Sequence, residues 1–257
     1  MIPLVDTHCH LLAGLDDGPR TEDEVLQMCA MMLAEGVQLS TALAHQNHHY
    51  PANTPDHLRE AARLLAERLR AADLPLTVFP TAEVMVHPGV EGSWERGDLL
   101  SYGDHRQFLL LEMPHGHFVD LGPIAARLRE AGVRVVVAHA ERYPELLHTP
   151  GLAEQWIEAG CLIQASSAGV TDPRSRADGK ALKSWCQRGI VHVLGSDGHS
   201  PHRRPPRLAA AYQQIVRWVG APAADRICST NGMAVLHGLP LRVAPPRPAH
   251  WLAAFWG

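Results

Sequence analysis

Short apolar runs alternate with longer amphipathic stretches along nearly the whole chain. Seven apolar runs read as buried parallel strands: "PLVDTH", "QLSTALAH", "LTVFPTAE", "FLLLEM", "VRVVVAH", "CLIQASS" and "IVHVLGSD". The stretches between them have helical period. "RTEDEVLQMCAMMLAEGV" opens with a capping box, Thr21 to Glu24, and stops at Gly36; Val25, Met28, Cys29, Met32 and Leu33 share one face. "TPDHLREAARLLAERLRAA" takes Thr54 as N-cap and Pro55 as first helical residue, with Leu58, Ala61, Ala62, Leu65 and Leu69 as its stripe. Such stripes, the Met-rich one included, are core rather than cofactor contacts. Seven strand–helix alternations with no linker and no internal repeat predict a single domain over 1–257, a parallel α/β barrel. The Pro-rich "RVAPPRPAHWLAAFWG" end, about 242–257, reads as an ordered wrap or a loose appendage, and its two Trp residues favour the wrap.

The strand ends carry the chemistry. The first run ends in His8 and His10, the second in His45, the third in Glu83 and the fourth in Glu112. The fifth ends in His139, and the seventh in Asp197 with His199. In a parallel barrel these ends converge on one face, where active sites are built. Each residue alone has an ordinary explanation: a surface charge, or a histidine bonded to a carbonyl. Jointly they point to a metal cluster. Alternation places His8 and His10 on one side of their strand, as chelation requires, and turns Cys9 away. The remaining histidines, His48, His57, His192 and His250 among them, read as structural or exposed.

Composition narrows the field. The 17 histidines outnumber Trp, Tyr and Phe together. The net charge of −4 gives no basic field to attract nucleic acid or an anionic membrane. Asp6 and His8 interrupt any apolar leader, so no signal peptide is expected, and no run of about 18 apolar residues exists to span a bilayer. The five cysteines are scattered without CxxC spacing, which predicts reduced thiols and a cytoplasmic setting. None is followed at the sixth position by Arg, so a Cys-dependent phosphatase loop is absent.

Histidine and carboxylate donors without cysteine suit Mn, Fe or Zn, and their number implies more than one ion. A carboxylate such as Glu112 can bridge two ions about 3.5–4 Å apart that also hold a hydroxide, so metal-assisted hydrolysis is the expected reaction class. Arg142 in "HAERYP", and Arg203, Arg204 and Arg207 in "HSPHRRPPR", follow two of the donor sites; guanidinium forks suit phosphate oxygens. Ser166 and Ser167 in "QASSAG" are candidate hydroxyl donors to the same group.

These stretches resemble the polymerase-and-histidinol-phosphatase (PHP) superfamily. Within it they are similar to the manganese-dependent protein-tyrosine phosphatases encoded with bacterial capsule and exopolysaccharide genes. The matching stretches are "DTHCHLLAGLDDGP", "AHQNHHY", "TAEV", "LLLEM", "VVAHAERY", "QASSAG", "VHVLGSDGHS" and "RRPPRLAAAY", in family order over 4–236. The resemblance implies a distorted seven-stranded TIM-like barrel, the PHP fold, with two or three Mn ions on its C-terminal face. It implies His8, His10, Glu112 and Asp197 around one ion, Glu112 with His139 at a second, and Asp17, His45, Glu83 and His199 at a third. Arg142 and Arg204 match its phosphate-binding arginines. The implied partner is a phosphotyrosine protein, the tyrosine-rich tail of a polysaccharide-assembly kinase, attacked by hydroxide on the cluster. Departures lie at Gln46-Asn47, at Met113-Pro114, in the loop "MPHGHFVD" and in the C-terminal end.

Three rival readings remain. Histidinol phosphate is an alternative small substrate within the superfamily. An amidohydrolase or phosphodiesterase on a similar barrel is another; the usual carbamylated-lysine bridge is unavailable, because the only lysines, Lys180 and Lys183, fall in one predicted helix. A non-catalytic scaffold would have no need for so many clustered polar groups.

Overall fold

A computed structural model describes residues 2–149 and 151–248. Seven strands, β1 (Leu4–Asp6), β2 (Val37–Gln46), β3 (Thr77–Met85), β4 (Phe108–Glu112), β5 (Arg134–Val137), β6 (Leu162–Ser166) and β7 (Val193–Gly195), pair in parallel in sequence order. The helices α1 (Glu22–Ala34), α2 (Pro55–Ala71), α3 (Val90–Arg96), α4 (Gly122–Glu130), α5 (Pro144–Leu147), α6 (Leu152–Ala159), α7 (Ser167–Thr171) and α8 (Arg176–Arg188) fill the crossovers. After β7 come α9 (Ala209–Val219), α10 (Ala221–Asp225), one π-helical turn and α11 (Asn231–Leu236). The barrel nearly closes where the chain beyond β1 meets the chain beyond β7. Thr7 N–H donates to Leu194 O (3.2 Å), Asp197 N–H to His8 O (2.7 Å) and His10 N–H to Gly198 O (2.9 Å).

The strands are apolar throughout because both faces are buried. Phe108, Leu110, Val136 and Val193 belong to an inner cluster, while Leu109, Leu111, Val135, Val137 and Leu194 pack in the cluster shared with the helices. In β4 the inward phase runs Phe108, Leu110 and then Glu112, so the alternation that fills the barrel also delivers a carboxylate to its mouth.

Helix α1 begins and ends where its sequence says, with one difference. Thr21 caps Glu24 N–H, but Glu24 reaches back to Arg20 N–H (2.7 Å), one residue before the cap, so the box closes one position early. In α2 Thr54 caps His57 N–H, and Leu58, Ala62, Leu65 and Leu69 are buried while Ala61 is half-buried. The described start of the C-terminal segment is tied down: Arg134 donates to Leu241 O (2.7 Å) and Arg188 to Arg247 O (2.8 Å). Up to Pro248 it is a wrap at the end of the barrel opposite the strand C-termini; His250, Trp251 and Trp256 lie outside the described residues. No helix among the described residues is long and apolar enough to cross a membrane.

Candidate metal centre

All nine predicted donors meet at the C-terminal mouth of the barrel. His10, Asp17, His45 and His199 form one group; His8, His10 and Asp197 a second; His8, Glu83 and His139 a third; His45, Glu83 and Glu112 a fourth. Within each group the donor atoms lie within 4.8 Å of one another. Glu83 is at the centre. Its Oε2 is 3.1 Å from His8 Nε2, 3.2 Å from His10 Nε2 and 3.4 Å from His45 Nδ1, and its Oε1 is 2.9 Å from His139 Nε2. Glu112, expected in the bridging place, pairs closely with His45 (3.1 Å) and shares a donor group with Glu83, which makes the larger number of close imidazole contacts. The reason is register: His45 pairs with Glu83 across β2–β3, whereas Met85, two residues further on, is the partner of Glu112. Glu112 therefore stands nearer the rim.

Several donor atoms are buried yet have no hydrogen bond: His10 Nε2, His45 Nδ1, Glu112 Oε1 and His139 Nδ1. Orphaned buried polar atoms are costly, and their convergence in a set of imidazoles and carboxylates fits divalent transition ions. The other ring nitrogens explain the orientation. His10 Nδ1–H donates to Asp16 Oδ2 (2.7 Å) and His8 Nδ1–H to Gln164 Oε1 (2.8 Å), which turns both Nε2 atoms toward the cluster. Asp16 also accepts from His45 N–H (2.8 Å) and Gly18 N–H (2.9 Å). Gln164 is held by donation to Thr7 Oγ1 (2.9 Å) and Tyr102 OH (3.2 Å).

The sequence reading did not single out these outer partners. Asp16 was visible beside Asp17 in "LDDGP", but adjacency does not say which carboxylate faces the donors. Gln164 had a clearer signal, a polar side chain in the middle of a strand buried on both faces.

Electrostatics follow from this packing. Burial would raise Glu83, but the surrounding His8, His10 and His139 hold it well below the usual carboxylate range. Burial pulls His10 down, and Asp16 and Glu83 more than reverse it, to about 9. His45, also opposed by burial, is pushed up to about 12 by Asp17, Glu112 and Glu83. Imidazoles and carboxylates thus face one another across the mouth, His8 with Glu83, His10 with Asp16, and His45 with Asp17 and Glu112.

Arg142 and Arg204 both end on a single atom, Asp197 Oδ2, whose partner oxygen Oδ1 faces His8 (3.4 Å) and His199 (3.6 Å). Two guanidiniums therefore reach the edge of the donor cluster and converge where an anionic oxygen sits. Ser166 behaves otherwise than expected. Ser166 Oγ donates to Glu141 Oε1 and accepts from Gly169 N–H as the cap of α7, so its hydroxyl is already engaged. Cys9 is fully buried, its Sγ 3.7 Å from Gly198 O, and burial pushes its thiol well above the ordinary value. All five cysteines are buried free thiols.

Residues 4–237 match the family described as capsular polysaccharide synthesis, CpsB/CapC. The tyrosine-protein phosphatase YwqE of Bacillus subtilis (strain 168) is 28% identical over 250 residues, spanning 95% of this chain and 96% of that protein. The tyrosine-protein phosphatase CpsB of Streptococcus pneumoniae is 23% identical over 238 residues, 91% of this chain and 98% of its own. A crystal structure from work on YwqE and CpsB, described there as metal-dependent tyrosine phosphatases, superposes with a TM-score of 0.87 at 25% identity. It covers 96% of this chain and 99% of that one.

Proposed function

This chain belongs to the CpsB/CapC family of capsular polysaccharide synthesis, and from that premise we propose that it is a metal-dependent protein-tyrosine phosphatase. The substrate is a phosphotyrosine protein, and we take a tyrosine kinase of polysaccharide assembly, in the cytoplasm, as its source. The observation that carries the reading is the pair of arginines converging on Asp197 at the edge of a nine-residue donor cluster.

His8, His10, Asp17, His45, Glu83, Glu112, His139, Asp197 and His199 are the proposed ligands, and manganese the proposed metal, in two or three equivalents. Bound ions would bring the pKa of water toward about 7 and neutralise charge developing on a phosphoryl group. The chain's own part is positioning. Asp16 and Gln164 fix the rings of His10 and His8, so no reorientation is needed when the site fills. Arg142, half-buried, and Arg204, exposed, exchange Asp197 for the phosphate oxygens and hold the ester in one orientation. Glu141 secures the turn that carries Arg142 by accepting from Ser166 N–H (3.1 Å) and its hydroxyl. No thiol takes part, since Cys9 points away from the cluster and is held protonated by burial.

Initial rates on a phosphotyrosine peptide, histidinol phosphate and a phosphodiester, run in parallel with manganese, test this. The phosphotyrosine peptide should be preferred, and Cys9→Ser should keep most of the rate. Arg142→Lys, which keeps charge and loses the fork, should lower kcat/KM, and Arg204→Ala should lower it about 100-fold or more. Preference for histidinol phosphate would move the protein to the small-molecule branch. Wild-type efficiency in both arginine variants would remove the phosphate-binding assignment.

A further inference from the structure

The two flanks of the donor cluster differ in chemistry. The β5–β7 side presents Arg142 and Arg204. On the β2–β4 side, the segments leaving three donor strands enclose a recess of about 820 Å3 whose walls include Tyr50, Met85, Pro88, Leu99 and Pro114. It lies next to the donors, joined to them through Tyr50 and Gln46. The Tyr50 ring lies parallel to the His45 imidazole, centroids 5.9 Å apart and 5° between planes. Met85 follows Glu83 by two residues, and Pro114 follows Glu112 by two.

The recess is built rather than incidental. Gln46 donates to Asp98 O (2.8 Å) and accepts from Leu100 N–H (3.1 Å), bolting the end of β2 to the segment after α3. Asn53, buried, donates to Leu15 O (3.0 Å) and His45 O (2.8 Å), which fixes the loop carrying Tyr50. Its charged residues are already matched: Arg59 to Asp56 (2.6 Å) and Asp104 (2.7 Å), and Asp98 to Arg96 (2.8 Å). What it offers a ligand is mainly apolar surface, at a size within the range of about 300–1,000 Å3 typical of ligand clefts.

We propose that this recess seats an apolar side chain of the protein substrate beside the phosphotyrosine, making it the subsite that selects among phosphotyrosine sequences. The inference rests on the phosphatase reading. A phosphotyrosine segment is amphipathic in the sense the mouth requires: its phosphate belongs on the arginine side, which leaves its apolar flank to the opposite side. The volume exceeds the needs of a single phenol ring, and its Tyr50 wall, stacked on His45, puts it within reach of the next residues of the same peptide.

The test compares manganese-loaded wild type with Pro51→Glu and Pro88→Glu, two exposed lining positions in the loops after β2 and β3. The probes are p-nitrophenyl phosphate, a phosphotyrosine peptide flanked by leucine, and the same peptide flanked by glycine. Wild type should prefer the leucine-flanked peptide about tenfold or more in kcat/KM, the discrimination an apolar group in a fitted pocket supplies. Each added carboxylate should bring that ratio toward one. A wild-type ratio near one, or a preference that survives both charges, overturns the subsite. Failure of wild type on p-nitrophenyl phosphate as well as both peptides overturns the phosphatase reading itself, and the subsite with it.

Discussion

Glu83 is enclosed by four imidazoles and is 1% exposed, while the Glu112 side chain touches one of them and is 12% exposed. Removing the carboxylate at the centre takes the one anion shared by His8, His10, His45 and His139 from all four at once; removing the one at the rim disturbs His45 alone. Glu83→Gln should therefore lower manganese affinity more than Glu112→Gln. It should also exceed the about 10–100-fold that loss of an outer partner such as Asp16 costs. Calorimetric titration of the metal-free proteins measures all three. A larger loss in Glu112→Gln would return the bridging role to Glu112.

At the level of elements, the close seam between the β1 and β7 extensions depends on Gly195. A Cβ there would lie 2.4 Å from His8 Cβ, so the two chains can approach only because one has no side chain. Gly195→Ala should cost about 1–3 kcal/mol as an overpacked contact. It should also displace His8 and lower the metal content found by elemental analysis. Wild-type stability together with full metal content would show that the seam can give.

A second pair of strands carries a pH dependence. Ile163 N–H donates to His192 Nδ1 (2.9 Å) and His192 N–H to Ile163 O (2.9 Å), beside β6 and at the entry to β7. Burial, with Arg134 nearby, depresses His192 to about 3, against 6.5 unfolded. The folded state thus takes up its proton later than the unfolded one. The stability contribution is complete above pH 6.5 and is lost as pH falls toward 3. Denaturant unfolding of wild type and His192→Gln across this window should differ in slope by up to about 1.4 kcal/mol per pH unit, one proton's worth. Parallel curves would mean that His192 is already protonated in the fold.

For the whole molecule, metal and fold should be linked. The donors come from strands β2, β3 and β4 and from the segments after β1, β5 and β7, so ions bound among them tie both sides of the barrel seam together. They would bind the folded chain far better than the unfolded one, and at 100 times the dissociation constant such binding adds about 2.7 kcal/mol. Chelation should lower Tm, and added manganese should restore it in a concentration-dependent way. A Tm unmoved by chelator and manganese alike would mean that the nine side chains satisfy one another and hold no ion.

The chain's pattern alone determined the barrel and the place of its chemistry. Apolar strands buried on both faces, separated by amphipathic helices, have one economical packing, and strand C-termini in that packing share a face. His8 and His10 were legible because they come just after their strand, and His45, Glu83 and Glu112 because they sit at the C-terminal ends of theirs, with β4 carrying Glu112 in the phase of Phe108 and Leu110. Beyond that point alternation stops being a guide. His139 at φ 31° and Asp197 at φ 55° have left-handed backbones, which re-aim their side chains in a way no periodicity encodes. Which carboxylate is central depended on how far β4 is staggered against β3, a register set by pairing between separate segments. That Asp16 rather than Asp17 orients His10 depended on a turn, and the recess beside His45 on loops that meet only in the closed barrel. Tertiary structure decided these because each is a distance between residues far apart in sequence or a turn of the backbone, and periodicity specifies only which face a side chain occupies.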